Sequence, residues 1–398
     1  MKMLKPDFPF FDHKKIHYCD NAATTQKPQA VLDVTISFYT TLNANVHRGL
    51  YETGELATYT YEVTRKKVAQ YIDALPEEIV FTGGTTDSIN MVATSWALCR
   101  LKKGDVIVLS ELEHHANLLP WQWVASQTGA TINFIPVTKN GTLEMAALDH
   151  IITRTTKLVA VTQVSNALGT TVNLEPIIAR AHAVGSRVLV DAAQSAPHQK
   201  ISVEQLGVDF LAFSGHKMLG PTGVGVLYCN KSVHEELVPY RRGGGMVRSV
   251  SYQDATWAPV PHLLEAGTPP LAQVAGLGAA LEYMTKNVDF AALRAHEAAL
   301  VKATVCGLEK FSQITLLGPV DELILQGHIL SFTVDGMHAH DIATYLNTRS
   351  IAVRAGHHCA QPLAQKMGYE ASVRVSFYLY NDMADVAALI AAFQELFA

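Results

Sequence analysis

Seven short runs of aliphatic and β-branched residues constrain this chain more than any other feature. They are Ile79–Phe81, Val106–Leu109, Thr131–Ile135, Lys157–Val161, Arg187–Val190, Phe210–Phe213 and Gly225–Tyr228. Near-continuous apolar runs of this length suit strands covered on both faces, as in a mainly parallel sheet. Helical patterns lie between many of them, among them Leu174–Ala183 with Asn173 as its N-cap. Strands alternating with helices predict an α/β layered domain. The last third reads differently. Long helical patterns at Pro270–Lys286 and Phe290–Phe311 precede short strands near Ile314–Leu317, Ile329–Val334 and Ile351–Arg354, then helical Ala339–Asn347 and Asp385–Phe397. The expected division is a large α/β domain over 21–265 and a smaller α+β domain from 1–20 and 266–398.

Composition excludes several classes. Hydrophobic residues make up 48% and charged residues 17% of 398, which rules out a disordered chain. Lys+Arg 31 against Asp+Glu 36 gives −5, so no overall basic footprint for nucleic acid exists. No apolar run approaches the roughly 18 residues of a membrane span. The segment Met1–Asp7 lacks the apolar region of a signal peptide, so a cytoplasmic location is the expectation. Cys19, Cys99, Cys229, Cys306 and Cys359 are few and widely spaced, which favours reduced thiols over a disulfide framework or zinc ribbon.

Five segments carry candidate chemistry. Phe81-Thr-Gly-Gly-Thr85-Thr86-Asp-Ser88 places a glycine turn and hydroxyls between a strand and a helix N-terminus, an anion site or an ordinary capped turn. In Val188-Leu-Val-Asp191-Ala-Ala-Gln194-Ser195 an acid ends a buried strand, where it either serves a ligand or caps a helix. In Phe213-Ser214-Gly-His216-Lys217-Met-Leu-Gly220 a lysine follows a strand directly, as a buried reactive amine or as a loop lysine. Phosphate cradle, acid and lysine together form the pattern expected of a pyridoxal phosphate enzyme. Arg354-Ala-Gly-His357-His358-Cys359-Ala360 sets a thiol beside cations, which favours a reactive thiolate, although a structural thiol or a metal ligand set fits the same residues. Glu113-His114-His115 offers a histidine after a strand end, for ring stacking and proton transfer or for structure alone.

Taken with Tyr18-Cys-Asp20-Asn-Ala-Ala-Thr24, Asn45-Val-His-Arg-Gly49, Val164-Ser-Asn166, Glu265-Ala-Gly-Thr268-Pro269 and Arg374-Val-Ser376, these stretches resemble the group II cysteine desulfurases of the SufS/CsdA type. That family belongs to the fold-type I, aspartate aminotransferase-like pyridoxal phosphate enzymes. The resemblance implies that Lys217 carries the cofactor as a Schiff base, with Asp191 on the pyridinium nitrogen and Gln194 on the ring hydroxyl. His114 stacks on the ring, and Thr85, Thr86, Ser214 and His216 hold the phosphate, joined by Thr268 from the second subunit of a homodimer. Asn166 and Arg374 hold the substrate carboxylate, with Arg354 close by, and Cys359 is the nucleophile. No metal is implied.

The implied reaction turns L-cysteine into L-alanine and leaves a persulfide on Cys359, feeding iron–sulfur cluster assembly through an acceptor of the SufE, CsdE or SufU type. Lys217 removes the Cα proton, and His114 moves protons to or from the substrate. A selenocysteine lyase acting on L-selenocysteine uses the same site. A sulfur carrier or scaffold without turnover and a generic aminotransferase or lyase are readings of other kinds. Five positions depart from the family pattern: Gly83 for Arg, Asp87 for Glu, Gln163 for His, Ala192 for Gly and Pro270 for Asn. The first two bear on subunit contacts, and none removes a catalytic group.

Overall fold

The computed structural model describes residues 4–47 and 49–398. Arg48, in one of the resemblance segments, lies outside them. In chain order the elements that matter are α1 (Gln29–Ser37), α2 (Glu52–Tyr71), β1 (Ile79–Thr82), α3 (Thr85–Val92), β2 (Val106–Ser110), β3 (Thr131–Ile135), β4 (Thr156–Thr162), α4 (Leu174–Ala183), β5 (Arg187–Asp191), β6 (Phe210–Ser214) and β7 (Gly225–Cys229). They are followed by α5 (Leu271–Asn287), α6 (Phe290–Leu308), β8 (Ile314–Leu317), β9 (Ile329–Val334), β10 (Arg354–Gly356) and β11 (Ser372–Ser376).

The seven apolar runs form one sheet in the order β1-β7-β6-β5-β4-β2-β3. Pairing is parallel from β3 through β6, and β7 alone runs against its neighbours. Every residue of β1, β2, β6 and β7 is buried, whereas β3 is an exposed edge strand. The parallel connections bring the ends of β2, β4, β5 and β6, and the start of α3, to one rim of the sheet, where doubly wound folds place ligands. Asn173 caps α4 as expected, its side chain accepting from Glu175 N.

The outer edge of β1 is closed by an ion pair instead of another strand. Arg65 of α2 and Glu265 form a two-pronged bridge with both N–O distances at 2.8 Å. Glu265 Oε1 accepts from Phe81 N at 2.7 Å, and Arg65 donates to Ile79 O at 2.6 Å. These are the backbone groups that a neighbouring strand would have satisfied.

The C-terminal sheet is antiparallel, β8-β9-β11-β10. The chain crosses between layers more than a cut at 265/266 implies. Helix α5, expected in the small domain, buries Val274, Ala275, Leu277, Leu281 and Met284 in the same core as Leu4, Phe8 and the large sheet. Cys19 belongs to the small core with β9 and β11. His198, Glu297 and His328 meet in the interior between the two layers, with His198 Nδ1 2.8 Å from Glu297 and stacked on His328 at 3.6 Å. Among the described residues no helix is long and apolar enough to cross a membrane.

Candidate active site

A cavity of about 210 Å³ opens at the rim of the large sheet. Thr85, Thr86, His114, Asn166, Asp191, Gln194, Ser214, His216, Lys217, Arg354, Cys359 and Arg374 all line it. Of the expected site residues only Thr268 is elsewhere. It is exposed and lines a neighbouring depression with Gly83 and Asp87.

The phosphate-type end is built on the turn from β1 into α3. Gly84 adopts φ 149°, a conformation side chains disfavour, and presents the first turn of α3 to the cavity. Ser214, the last residue of β6, accepts from Thr85 N at 2.9 Å and lies 2.7 Å from Thr85 Oγ1. The approach is close enough that a side-chain carbon on Gly225 would run into the Gly84 backbone. Backbone N–H groups, two hydroxyls and a helix N-terminus fit a phosphate. His216 sits beside them, its Nδ1 3.2 Å from Thr24 Oγ1.

Asp191 ends β5 and is buried. Its Oδ1 accepts from Ala193 N at 2.9 Å. Burial raises its pKa above the usual carboxylate range, while the Ala193 N–H and Lys217 oppose that rise. An acid there suits a buried protonated ring nitrogen. Gln194 donates to Ala22 O at 2.8 Å. Lys217 follows β6 on a single turn, Gly215–Lys217, and burial lowers its amine to about 8 despite the pull of Asp191. An amine in that range exchanges protons readily near neutral pH.

His114 leaves the end of β2. Its Nδ1 accepts from Ala116 N at 3.0 Å, and burial, helped by Lys217, lowers its pKa to about 4. The ring is therefore neutral with its proton on Nε2. Glu113 supports that turn from below: it accepts from Asn117 Nδ2 at 2.6 Å and Thr162 N at 2.9 Å, tying β2 to β4.

The carboxylate-type end is built on the C-terminal antiparallel sheet. Arg374 of β11 donates to Asn166 O at 2.8 Å and to Asp20 Oδ1 at 3.1 Å, and its buried Nε has no partner. Arg354 approaches the same Asp20 at 3.7 Å. Two guanidinium groups and one carboxylate leave one positive charge over, which matches a single substrate carboxylate. Asp20 was present in the resemblance segments without a role, and no local signal links it to a residue 354 positions away.

Cys359 is exposed at the mouth. It and His358 both hold left-handed backbone, φ 57° and 54°, strain that packing must support. His358 O accepts from Asn166 Nδ2 at 2.5 Å and Cys359 O from His115 N at 2.7 Å. His358 Nε2 is 3.0 Å from Ser372 Oγ, so this ring is a structural support of the loop. Asp87 is engaged within its own chain, accepting from Gly83 N at 2.9 Å, Tyr240 OH at 3.1 Å and Arg241 at 3.2 Å.

Residues 17–389 match the aminotransferase class-V family. A cysteine desulfurase of Haloferax volcanii is 43% identical over 416 residues, spanning 99% of this chain and 97% of that protein. A probable cysteine desulfurase of Halalkalibacterium halodurans is 44% identical over 97% of this chain and 95% of its own. Among solved structures, the apo cysteine desulfurase of Thermococcus onnurineus NA1 superposes with TM-score 0.95 at 38% identity, covering 100% of this chain and 98% of that one. The cysteine desulfurase CsdA of Escherichia coli, solved as an S-sulfonic acid, gives 0.92 at 40% identity, with 98% and 97% covered.

Proposed function

The chain belongs to the aminotransferase class-V family, and from that premise we propose that it is a pyridoxal phosphate-dependent cysteine desulfurase. It converts L-cysteine to L-alanine and moves the sulfur to Cys359. One observation carries the reading: Cys359, from the small domain, lines the same cavity as Lys217, Asp191 and Arg374.

Thr85, Thr86, Ser214 and His216 would hold the cofactor phosphate, Asp191 its ring nitrogen, Gln194 its ring hydroxyl and Lys217 its aldehyde carbon. His114 would cover the ring face. Pyridoxal phosphate, when bound, supplies an electron-withdrawing ring that stabilises negative charge at the substrate Cα. Arg374, steadied by Asp20 and Asn166, orients the substrate carboxylate, and Arg354 adds charge at the mouth. Lys217, as a free neutral amine, would take the Cα proton. The Cys359 thiolate attacks the substrate sulfur. The new S–S bond forms as the substrate Cβ–S bond breaks, and its electron pair stays with the carbon fragment. That fragment gains a proton, which His114 Nε2–H would deliver. Substrate carbon is reduced as sulfur is oxidised to the persulfide level, so the balance closes with no external oxidant.

The working unit in this reading is a homodimer. Thr268 lies outside its own cavity, and Tyr39, Leu50, Tyr51, Leu56 and Tyr59 leave large apolar side chains exposed around α1 and α2. Sulfur passes to an acceptor protein of the SufE, CsdE or SufU type for iron–sulfur cluster assembly, in the cytoplasm. The test is the mass of the Cys359 peptide after brief exposure to L-cysteine without reductant. One added sulfur, removed by a thiol reductant, is expected. An unmodified peptide from protein carrying pyridoxal phosphate overturns the persulfide step and points to selenocysteine as substrate.

A further inference from the structure

Lys27 has no role in the chemistry above and does not line the cavity, yet its amine reaches the backbone of a residue that does. It stands in the loop Asn21–Pro28 that leads into α1. Its Nζ reaches His216 O at 3.0 Å and Thr24 Oγ1 at 3.5 Å, and also donates to Thr25 O. Among the described residues no carboxylate pairs with it. Half-burying an ammonium with only neutral acceptors is costly, and burial lowers its pKa to about 8.

The acceptor matters more than the lysine. His216 O belongs to the peptide unit that enters Lys217. It receives Thr25 N at 3.1 Å, Thr24 Oγ1 at 3.1 Å and Thr25 Oγ1 at 3.2 Å in addition to Lys27. Thr25 Oγ1 also accepts from Leu219 N at 3.0 Å, on the far side of Lys217, where Leu219 holds left-handed backbone at φ 66°. The loop 24–27 thus grips the chain on both sides of the reactive lysine. A carbonyl has two lone pairs, and the one charged donor aimed at it makes the strongest of these bonds.

From this geometry we infer that Lys27 is a positioning residue for Lys217: its ammonium clamps the His216 carbonyl and fixes the turn from which the Lys217 side chain reaches the cofactor. The inference rests on reading Lys217 as the cofactor lysine. A lysine that merely stabilises the fold would change melting temperature and nothing else.

The test uses full-length holoenzyme with Lys27→Met and Lys27→Arg. The readouts are the visible absorbance of Lys217-bound pyridoxal phosphate against pH, the cofactor's dissociation constant, and kcat and KM for L-cysteine. Lys27→Met is expected to lower kcat about tenfold with KM within about twofold, to weaken cofactor retention about tenfold, and to displace the absorbance titration. Lys27→Arg, which keeps the charged donor, is expected to recover most of kcat. A Lys27→Met enzyme with unchanged absorbance titration and kcat overturns the inference, whatever its melting temperature. If Lys27→Met does not fold, Lys27→Gln removes the charge and keeps only a neutral donor for the same carbonyl. It is expected to shift the same three readouts by about threefold, and no shift overturns the inference. Wild-type protein without lysine-bound cofactor absorbance would instead sink the proposed function, so the two failures are distinct.

Discussion

Glu265→Gln is the substitution whose cost the structure sets most clearly. The Arg65 and Glu265 side chains are only 2% and 6% exposed, and they meet through two parallel bonds. The glutamate also accepts from Tyr61 OH at 2.9 Å and from Phe81 N. An amide in its place keeps one carbonyl acceptor, turns an NH2 group toward the guanidinium, and leaves a buried cation with only the partly exposed Glu62 as counter-charge. Breaking such a pair costs about 3–5 kcal/mol. Unfolding entropy of about 2.1 cal/mol/K per residue gives ~0.8 kcal/mol/K for a chain this size, so the melting temperature should fall by about 4–6 °C. Glu62→Gln is the internal control. Glu62 contacts the same arginine at 3.0 Å but its side chain is 36% exposed, and an exposed pair contributes at most about 1 kcal/mol, roughly 1 °C. Differential scanning calorimetry of both variants decides the matter. Equal shifts, or a Glu265→Gln shift below about 1 °C, would refute the view that burial gives this pair its weight.

Three further outcomes are expected. Gly225→Ala should weaken pyridoxal phosphate binding by at least about tenfold, measured by equilibrium dialysis, because the new methyl displaces the Gly84 turn that holds the phosphate. His114 should titrate near 4 with its proton on Nε2, visible in long-range ¹H–¹⁵N spectra. Its folded pKa lies below the unfolded value of about 6.5, so its contribution to stability is present above pH ~6.5 and lost as pH falls toward 4. Asp20→Asn should change KM for L-cysteine more than kcat in steady-state assays, since among the described residues the Asp20 carboxylate pairs only with the two arginines proposed to receive the substrate carboxylate; a change confined to kcat would contradict that proposal.

Most strands of the large sheet were legible because they are covered on both faces and so must be apolar along their whole length; β3, an exposed edge strand, is the exception. Antiparallel β7 was legible as a strand, but its direction depends on the turn after Lys217, which apolar content does not encode. Helix α2 carries no clear hydropathic signal. Its buried face includes Thr64 and Arg65, and the arginine is admissible there only through Glu265, two hundred residues on. Strand β11 reads Ser-Val-Arg-Val-Ser, yet all five positions are buried. Again a distant acid, Asp20, makes the arginine tolerable. Lys217, Asp191 and Cys359 stood out because each follows a strand or glycine turn in a local motif. Asp20, Lys27 and Glu113 did not, because their work consists of bonds to segments far away in sequence.

The backbone of the Cys359 loop is tied at two consecutive carbonyls to segments that follow strands of the large sheet, His358 O to Asn166 and Cys359 O to His115. A cargo on an arm fastened that way is not carried outward; it is collected at the door. If Cys359 carries the sulfur as proposed, an acceptor thiol has to reach the mouth of the cavity along the line of the S–S bond it will break. Under the proposed function, the short arm would select its acceptors by shape and leave a stored sulfur little opportunity for unproductive exchange.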